Sequence, residues 1–293
     1  MKKKLQNFIF VLIFVAGLSL LLYPYVSNKW NTYRQSQLIT TYDDAIKEIE
    51  EEIDYSSEWE SAHAFNQALL PSILPDSFAI AAADGEPGEE YMANLNLLGD
   101  GMMGMVEIPK INIKIPIYHT TTDEVLQISA GHLEGSSLPV GGDNTHAVIS
   151  AHRGLPSAAL FTDLDRLEEG DHFLLHILDD TLCYEVDQIS IVEPEQTDAL
   201  AVEPGQDLVT LLTCHPYGVN SHRLLVRGHR VEYTPEIVDQ EVAQGVLNPS
   251  LHTNYLLWVL VGLGVTVLVI IILTLRERSI RKKLIAKKIA EEE

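Results

Sequence analysis

Cysteine is scarce in this chain: 293 residues contain two, Cys183 and Cys214. Two thiols cannot build a disulfide framework, and they offer no structural zinc set. Positive charge is short as well. Twenty Lys and Arg stand against 42 Asp and Glu, a formal net charge of -22, whereas a nucleic-acid binder presents a basic face. No repeat of fixed period is present, and the acidic run at 43–60 lacks the Asp-x-Asp-x-Asp-Gly order of a calcium loop. That run reads as a solvated helix face. With 46% hydrophobic residues, wholesale disorder is excluded too. At roughly 150 residues per domain, the length allows one or two domains.

The hydrophobic residues are concentrated. Residues 8–26 carry no charge and follow Lys2, Lys3 and Lys4; residues 254–275 carry none and precede seven basic residues between Arg276 and Lys288. About 20 apolar residues cross a bilayer as a helix, so both stretches read as membrane spans. A cleaved signal peptide is the alternative for the first, but its tail shows no clear small-x-small cleavage site, which favours an uncleaved anchor. Basic residues mark cytoplasmic ends. Residues 1–7 and the basic tail 276–293 are therefore expected in the cytoplasm, with the stretch between the spans outside. The two ends hold ten basic and four acidic residues, leaving 38 acidic against ten basic in the remainder.

The outer part begins with a helical region, 27–70. Tyr42, Ile46, Ile49 and Ile53 step at the period of one helix face, and a second helix is expected over 58–70. Residues 71–94, rich in Pro, Gly and Ala, read as a loop long enough to be a lid. From 95 to 235 short β-rich runs (MVEIPKINIKIPIY, HAVISAH, HFLLHIL, LCYEVDQISIV, DLVTLLTC, HRLLVRGHRV) alternate with turn residues, a mainly β pattern of sandwich or barrel type. Polar residues 236–253 read as a linker to the second span.

Cys183 lies inside LCYEV and reads as a small core residue. Cys214 ends DLVTLLTC, and a reactive group at a strand end joins a rigid element to a loop. A thiol nucleophile needs a nearby basic group. His152 ends another strand, AVISA; His215 adjoins Cys214, but strand neighbours point to opposite faces. Arg223, nine residues after Cys214 in SHRLLVRG, sits on the expected return strand of a hairpin. A guanidinium stays protonated, so it stabilises an oxyanion rather than acting as a base.

The run TLLTC with Arg223 nine residues on resembles the signature of the sortases, membrane-anchored cysteine transpeptidases of Gram-positive bacteria. The series GDGMMGMVEIPKINIKIPIYH, GHLEGSSLPVGG, AHRGLP and TLLTCHPYGVNSHRLLVRGHR resembles class C, the pilin-polymerising branch, across roughly residues 91–233.

That resemblance implies a closed β-barrel with N-terminal helices and a lid loop, flanked by the two membrane helices. It implies that Cys214 attacks the Thr–Gly bond of an LPxTG-like sorting signal to give a thioacyl enzyme. His152 would protonate the departing amine and Arg223 would steady the oxyanion. A lysine amine of a pilin subunit would then take the acyl group, with no metal or organic cofactor required. Anchoring of surface proteins to the cell wall, and a non-catalytic membrane-tethered barrel, are the alternatives. The partners implied are pilin or surface-protein sorting signals, the acceptor lysine and the lipid bilayer, with no nucleic acid.

Class C enzymes carry an Asp-Pro-aromatic lid motif. Its best counterpart here is Asp76-Ser77-Phe78, in which Ser removes the fixed φ of Pro and predicts a looser lid. By resemblance Phe78 covers Cys214 and Asp76 pairs with a basic group. Asp84-Gly85-Glu86-Pro87 is a second candidate, and a loop without a lid is the third reading.

Overall fold

The computed structural model describes residues 2–50, 54–69, 74–80, 86–247 and 255–292. They fall into two units, one made of residues 26–253 and one of the first 25 residues with the segment from 254 onward. In the larger unit, eight strands close a barrel in the order β1-β2-β3-β4-β7-β8-β6-β5. They are β1 (Met102–Ile108), β2 (Ile113–His119), β3 (Ala130–His132), β4 (Thr145–Ser150), β5 (His172–Ile177), β6 (Asp180–Val192), β7 (Asp207–His215) and β8 (His222–Val231). The mainly β expectation therefore resolves to a barrel: β1 pairs with both β2 and β5, which leaves no free edge.

Alternation along the strands sorts their side chains onto two faces. Ala147, Ile149, Val209, Leu211, Leu224 and Val226 point into the main core, and each aliphatic side chain of Val or Leu size contributes roughly 1.5–3 kcal/mol when fully buried. Val148, Leu212 and Leu225 point the other way. They form a second apolar cluster with Leu74, Leu133 and Leu200 on the outer face of the barrel.

Helices surround the barrel. α1 runs unbroken over Lys2–Glu50, and Tyr42 and Ile46 from its predicted apolar face join the main core. Ile49 is described by its backbone only, and Ile53 lies outside the described residues. α2 covers Ser56–Ala68, starting two residues before the predicted 58–70. The loop read at 71–94 contains two short helices, α3 (Ser77–Ile80) and α4 (Glu89–Ala93); Asp84 and Gly85 fall outside the described residues. A further short helix, α5, spans Asp123–Leu126.

The expected linker at 236–253 is largely helical instead. α6 spans Pro235–Leu247, opened by a proline and Glu236 in its first turn. Its less exposed positions are Ile237, Val238, Glu241 and Gly245, so an acid and a glycine interrupt the apolar stripe, which is why hydrophobic periodicity overlooks it. Glu241 Oε1 accepts hydrogen bonds from the His172 backbone N–H at 3.1 Å and from Nδ1 at 3.0 Å. At Gly245 a Cβ would lie 2.0 Å from the Lys110 carbonyl oxygen, so only glycine permits this approach.

In the smaller unit, α7 (Tyr255–Glu292) contains a candidate span, Leu257–Ile280, whose most apolar stretch has a mean hydropathy of 2.8. A window of α1, Leu12–Tyr42, reaches 1.3. Both are long and apolar enough to cross a membrane.

Candidate active site

Three strand ends meet at one rim of the barrel. β4 and β7 are parallel, and Ser150 pairs with Leu212. Two residues further along each chain stand His152 and Cys214, at the same level on adjacent elements. β7 and β8 are antiparallel, and Cys214 pairs with Arg223. The hairpin spacing read from the sequence thus places the guanidinium directly across from the thiol. Since Leu212 and Leu225 face outward, Cys214 and Arg223, each two positions away, do so too.

The turn carrying His152 is fastened from below. The Ala151 N–H donates to the Leu212 carbonyl at 3.1 Å, and Thr213 Oγ1 donates to the Ala151 carbonyl at 2.7 Å. Burial holds the His152 imidazole below its ordinary pKa, with Asp123 pulling the other way. Burial also pushes the Cys214 thiol up; Arg223 opposes this shift and Asp76 adds to it. At neutral pH both groups therefore rest uncharged. Arg223 is held firmly cationic, chiefly by its hydrogen bonds to Asp76.

Residues 74–80 lie across this rim. Asp76 accepts from Arg223 Nε at 2.7 Å and from the Nη2 group at 2.6 Å, a bidentate pair. The Phe78 ring sits 5.3 Å from the His152 ring, centroid to centroid, and the Arg223 guanidinium carbon lies 5.1 Å from the Phe78 centroid. Ser77 is fully buried. Its Oγ accepts from Ser150 Oγ at 2.8 Å, and its carbonyl accepts from Thr121 Oγ1 at 3.0 Å. Thus the hydroxyl that replaces proline provides a tether proline lacks, which offsets the loss of a fixed φ.

One contributor escaped the sequence reading. Arg153, buried beside His152, donates through Nη1 to His215 Nδ1 at 3.1 Å and through Nη2 to Asp165. Its guanidinium lies 6.0 Å from the Tyr217 ring centroid. One side chain thus ties the neighbour of the imidazole to the neighbour of the thiol. Gly154, at φ +79°, leaves room for Tyr217, whose ring would lie 3.1 Å from an added Cβ. The only sequence cue was the adjacency of Arg153 to His152 in AHRGLP. Cys183 sits in β6 and is fully buried; burial raises its thiol to about 11, in keeping with a core residue. Among the described residues, no group of three or more His, Cys, Asp or Glu side chains is arranged to hold a metal ion.

This geometry has close counterparts. The Sortase domain family matches residues 106–231, which run from β1 to the last residue of β8. Sortase D of Bacillus subtilis is 30% identical over 131 residues, 44% of this chain and 63% of that protein. The solved Streptococcus pneumoniae Sortase C is 46% identical with a TM-score of 0.61, covering 68% of this chain and 98% of its own. Sortase C1 of Streptococcus agalactiae is 44% identical with a TM-score of 0.58, over 68% of this chain and all (100%) of the other. The chain belongs to the sortase family of cysteine transpeptidases. Within that family its structural relatives place it in class C.

Proposed function

We propose that this chain is a membrane-anchored pilin-type transpeptidase that cleaves an LPxTG-like sorting signal between Thr and Gly. The observation that carries the reading is the register of β4, β7 and β8, which brings His152, Cys214 and Arg223 to one rim. His152 takes the thiol proton as sulfur attacks the Thr carbonyl, and Arg223 donates to the oxygen as it gains charge. The imidazolium then protonates the glycine amine, which leaves, and a thioester remains. A lysine amine of a pilin subunit attacks that thioester, its proton passes through His152 back to sulfur, and an isopeptide bond results. The pneumococcal Sortase C is a relative whose structure bears on pilin substrate specificity, and this supports the choice of acceptor.

The segment across the rim supports the donor side. Leu74-Pro75-Asp76-Ser77 itself reads Leu-Pro-x-hydroxyl, the pattern of the sorting signal. Leu74 is buried among Leu133, Val148 and Leu212, while Phe78, standing where Gly would follow Thr, packs on His152. The Ser77 carbonyl is engaged by Thr121 and the chain turns into α3, so the segment fills the groove without presenting a cleavable bond. It acts as a lid that must leave before a donor enters. The two apolar helices anchor the enzyme with both termini in the cytoplasm and the barrel outside.

The test is an assay of the purified chain with an LPxTG-type peptide and a lysine-bearing pilin. Joining of the two through an isopeptide bond is expected, and Cys214→Ala should abolish it. Use of small amines or water alone would instead mark a wall-anchoring or hydrolytic enzyme.

A further inference from the structure

Below Leu74 the outer face of the barrel opens into a cleft of about 820 Å³. Its floor is the start of β4, including Thr145 and His146, and its walls are α2 and the connection between β6 and β7. Ligand sites occupy about 300–1,000 Å³, so this cleft is large enough for several side chains. Two residues, Leu74 and Leu200, belong both to the cleft lining and to the apolar cluster beneath the catalytic rim. His146 points to the same face as Val148 and, two and four positions beyond that, Ser150 and His152. Cleft and rim therefore lie on the same face of the barrel, with Leu74 and Leu200 between them.

The direction of a bound donor follows from residues 74–78. Leu74 lies at the lower end of the apolar cluster and Phe78 at His152, so the chain rises toward the thiol. A donor lying the same way carries its residues before Leu downward, into the cleft. Given the transpeptidase reading above, we propose that this cleft is a subsite for the extended polypeptide immediately preceding the sorting signal. It takes about three to five residues at roughly 3.3 Å each. Val202 and Leu69 offer apolar contact, while Gln67 and Asn144 offer side-chain amides for the peptide backbone.

The experiment compares two peptides with one LPxTG core, the first beginning at Leu and the second extended by five residues before it. Turnover is measured in the full chain carrying Asp76→Ala, so that the lid does not limit entry. The readout is the ratio of kcat/KM, long over short. It should be at least about tenfold, the gain from seating one aliphatic side chain, and should arise mainly in KM. Val202→Trp and Gln67→Trp, both at exposed positions, should each bring the ratio close to one. A ratio near one before these substitutions, or an undiminished ratio after both, overturns the subsite. Turnover of neither peptide overturns the transpeptidase reading itself, a result distinct from a ratio near one.

Discussion

Asp76 and Phe78 act on Cys214 through charge and burial. Asp76 raises the pKa of the thiol, and burial acts in the same direction; Phe78, packed on His152 and Arg223, is part of the cover over this rim. Removing either should therefore move the titration of Cys214 downward. The pH profile of iodoacetamide labelling should shift to lower pH in Asp76→Ala, and Phe78→Ala should label faster at neutral pH. Unchanged profiles in both variants would count against the placement of the lid. Arg153 belongs to the same scale. Lysine lacks the planar fork that reaches His215 and Asp165 together. Arg153→Lys should lower kcat about 10-fold or more with little change in KM, in line with a misplaced catalytic group. An equal rise in KM would assign Arg153 to donor binding instead.

Among the elements, α6 was the least legible. Amphipathic helices are found by their apolar stripe, and in α6 an acid and a glycine interrupt the stripe begun by Ile237 and Val238. The strands were legible as short β-rich runs bounded by turn residues, a local signal that survives without tertiary information even though β4 is buried throughout and β7 nearly so. The hairpin pairing of Cys214 with Arg223 was legible for a similar reason, since spacing alone sets register across a turn. Contacts that join distant segments, such as Arg223 with Asp76 or Arg153 with Asp165, leave no periodic trace. Gly245→Ala tests the seating of α6. In an exposed helix this change stabilises by about 1 kcal/mol, but against the Lys110 carbonyl it should destabilise by roughly 1–3 kcal/mol. A raised melting temperature would mean that α6 does not dock.

At the scale of the whole molecule, acidity and buried imidazoles govern the response to pH. His132 is fully buried beneath Tyr91, which holds its Nδ1 at 3.0 Å, and burial pushes it down to about 4. Between about 4 and 6.5 the unfolded chain takes up a proton that the folded chain refuses, so stability falls as pH falls through that window. The loss is on the order of 3 kcal/mol from this residue when the full interval is crossed. Buried His119 and His146 shift in the same direction. Chemical denaturation at pH 7 and pH 4.5 should show a marked drop, and a flat profile would contradict neutral burial of these rings. The net charge of -22 adds a second legible property: it is unevenly divided, with ten basic and four acidic residues at the two ends and 38 acidic against ten basic in the remainder.

Arg223 is paired on both sides, with Cys214 of β7 and with Val192 of β6. A strand locked between two neighbours in a closed sheet cannot slip by one residue without breaking both ladders, and such a slip would turn the guanidinium to the opposite face. The turn between His215 and His222 belongs to neither ladder, but it is tied to the site: the Asn220 carbonyl accepts from Arg223 Nη1 at 3.3 Å, and Tyr217 lies beside Arg153. A single inserted residue just after Arg223 would remove the catalytic register, whereas one within the turn can leave both ladders paired and disturb only the Asn220 and Tyr217 contacts. Length changes in this part of the chain are accordingly confined to the turn, and even there they reach the site through Arg223 and Arg153.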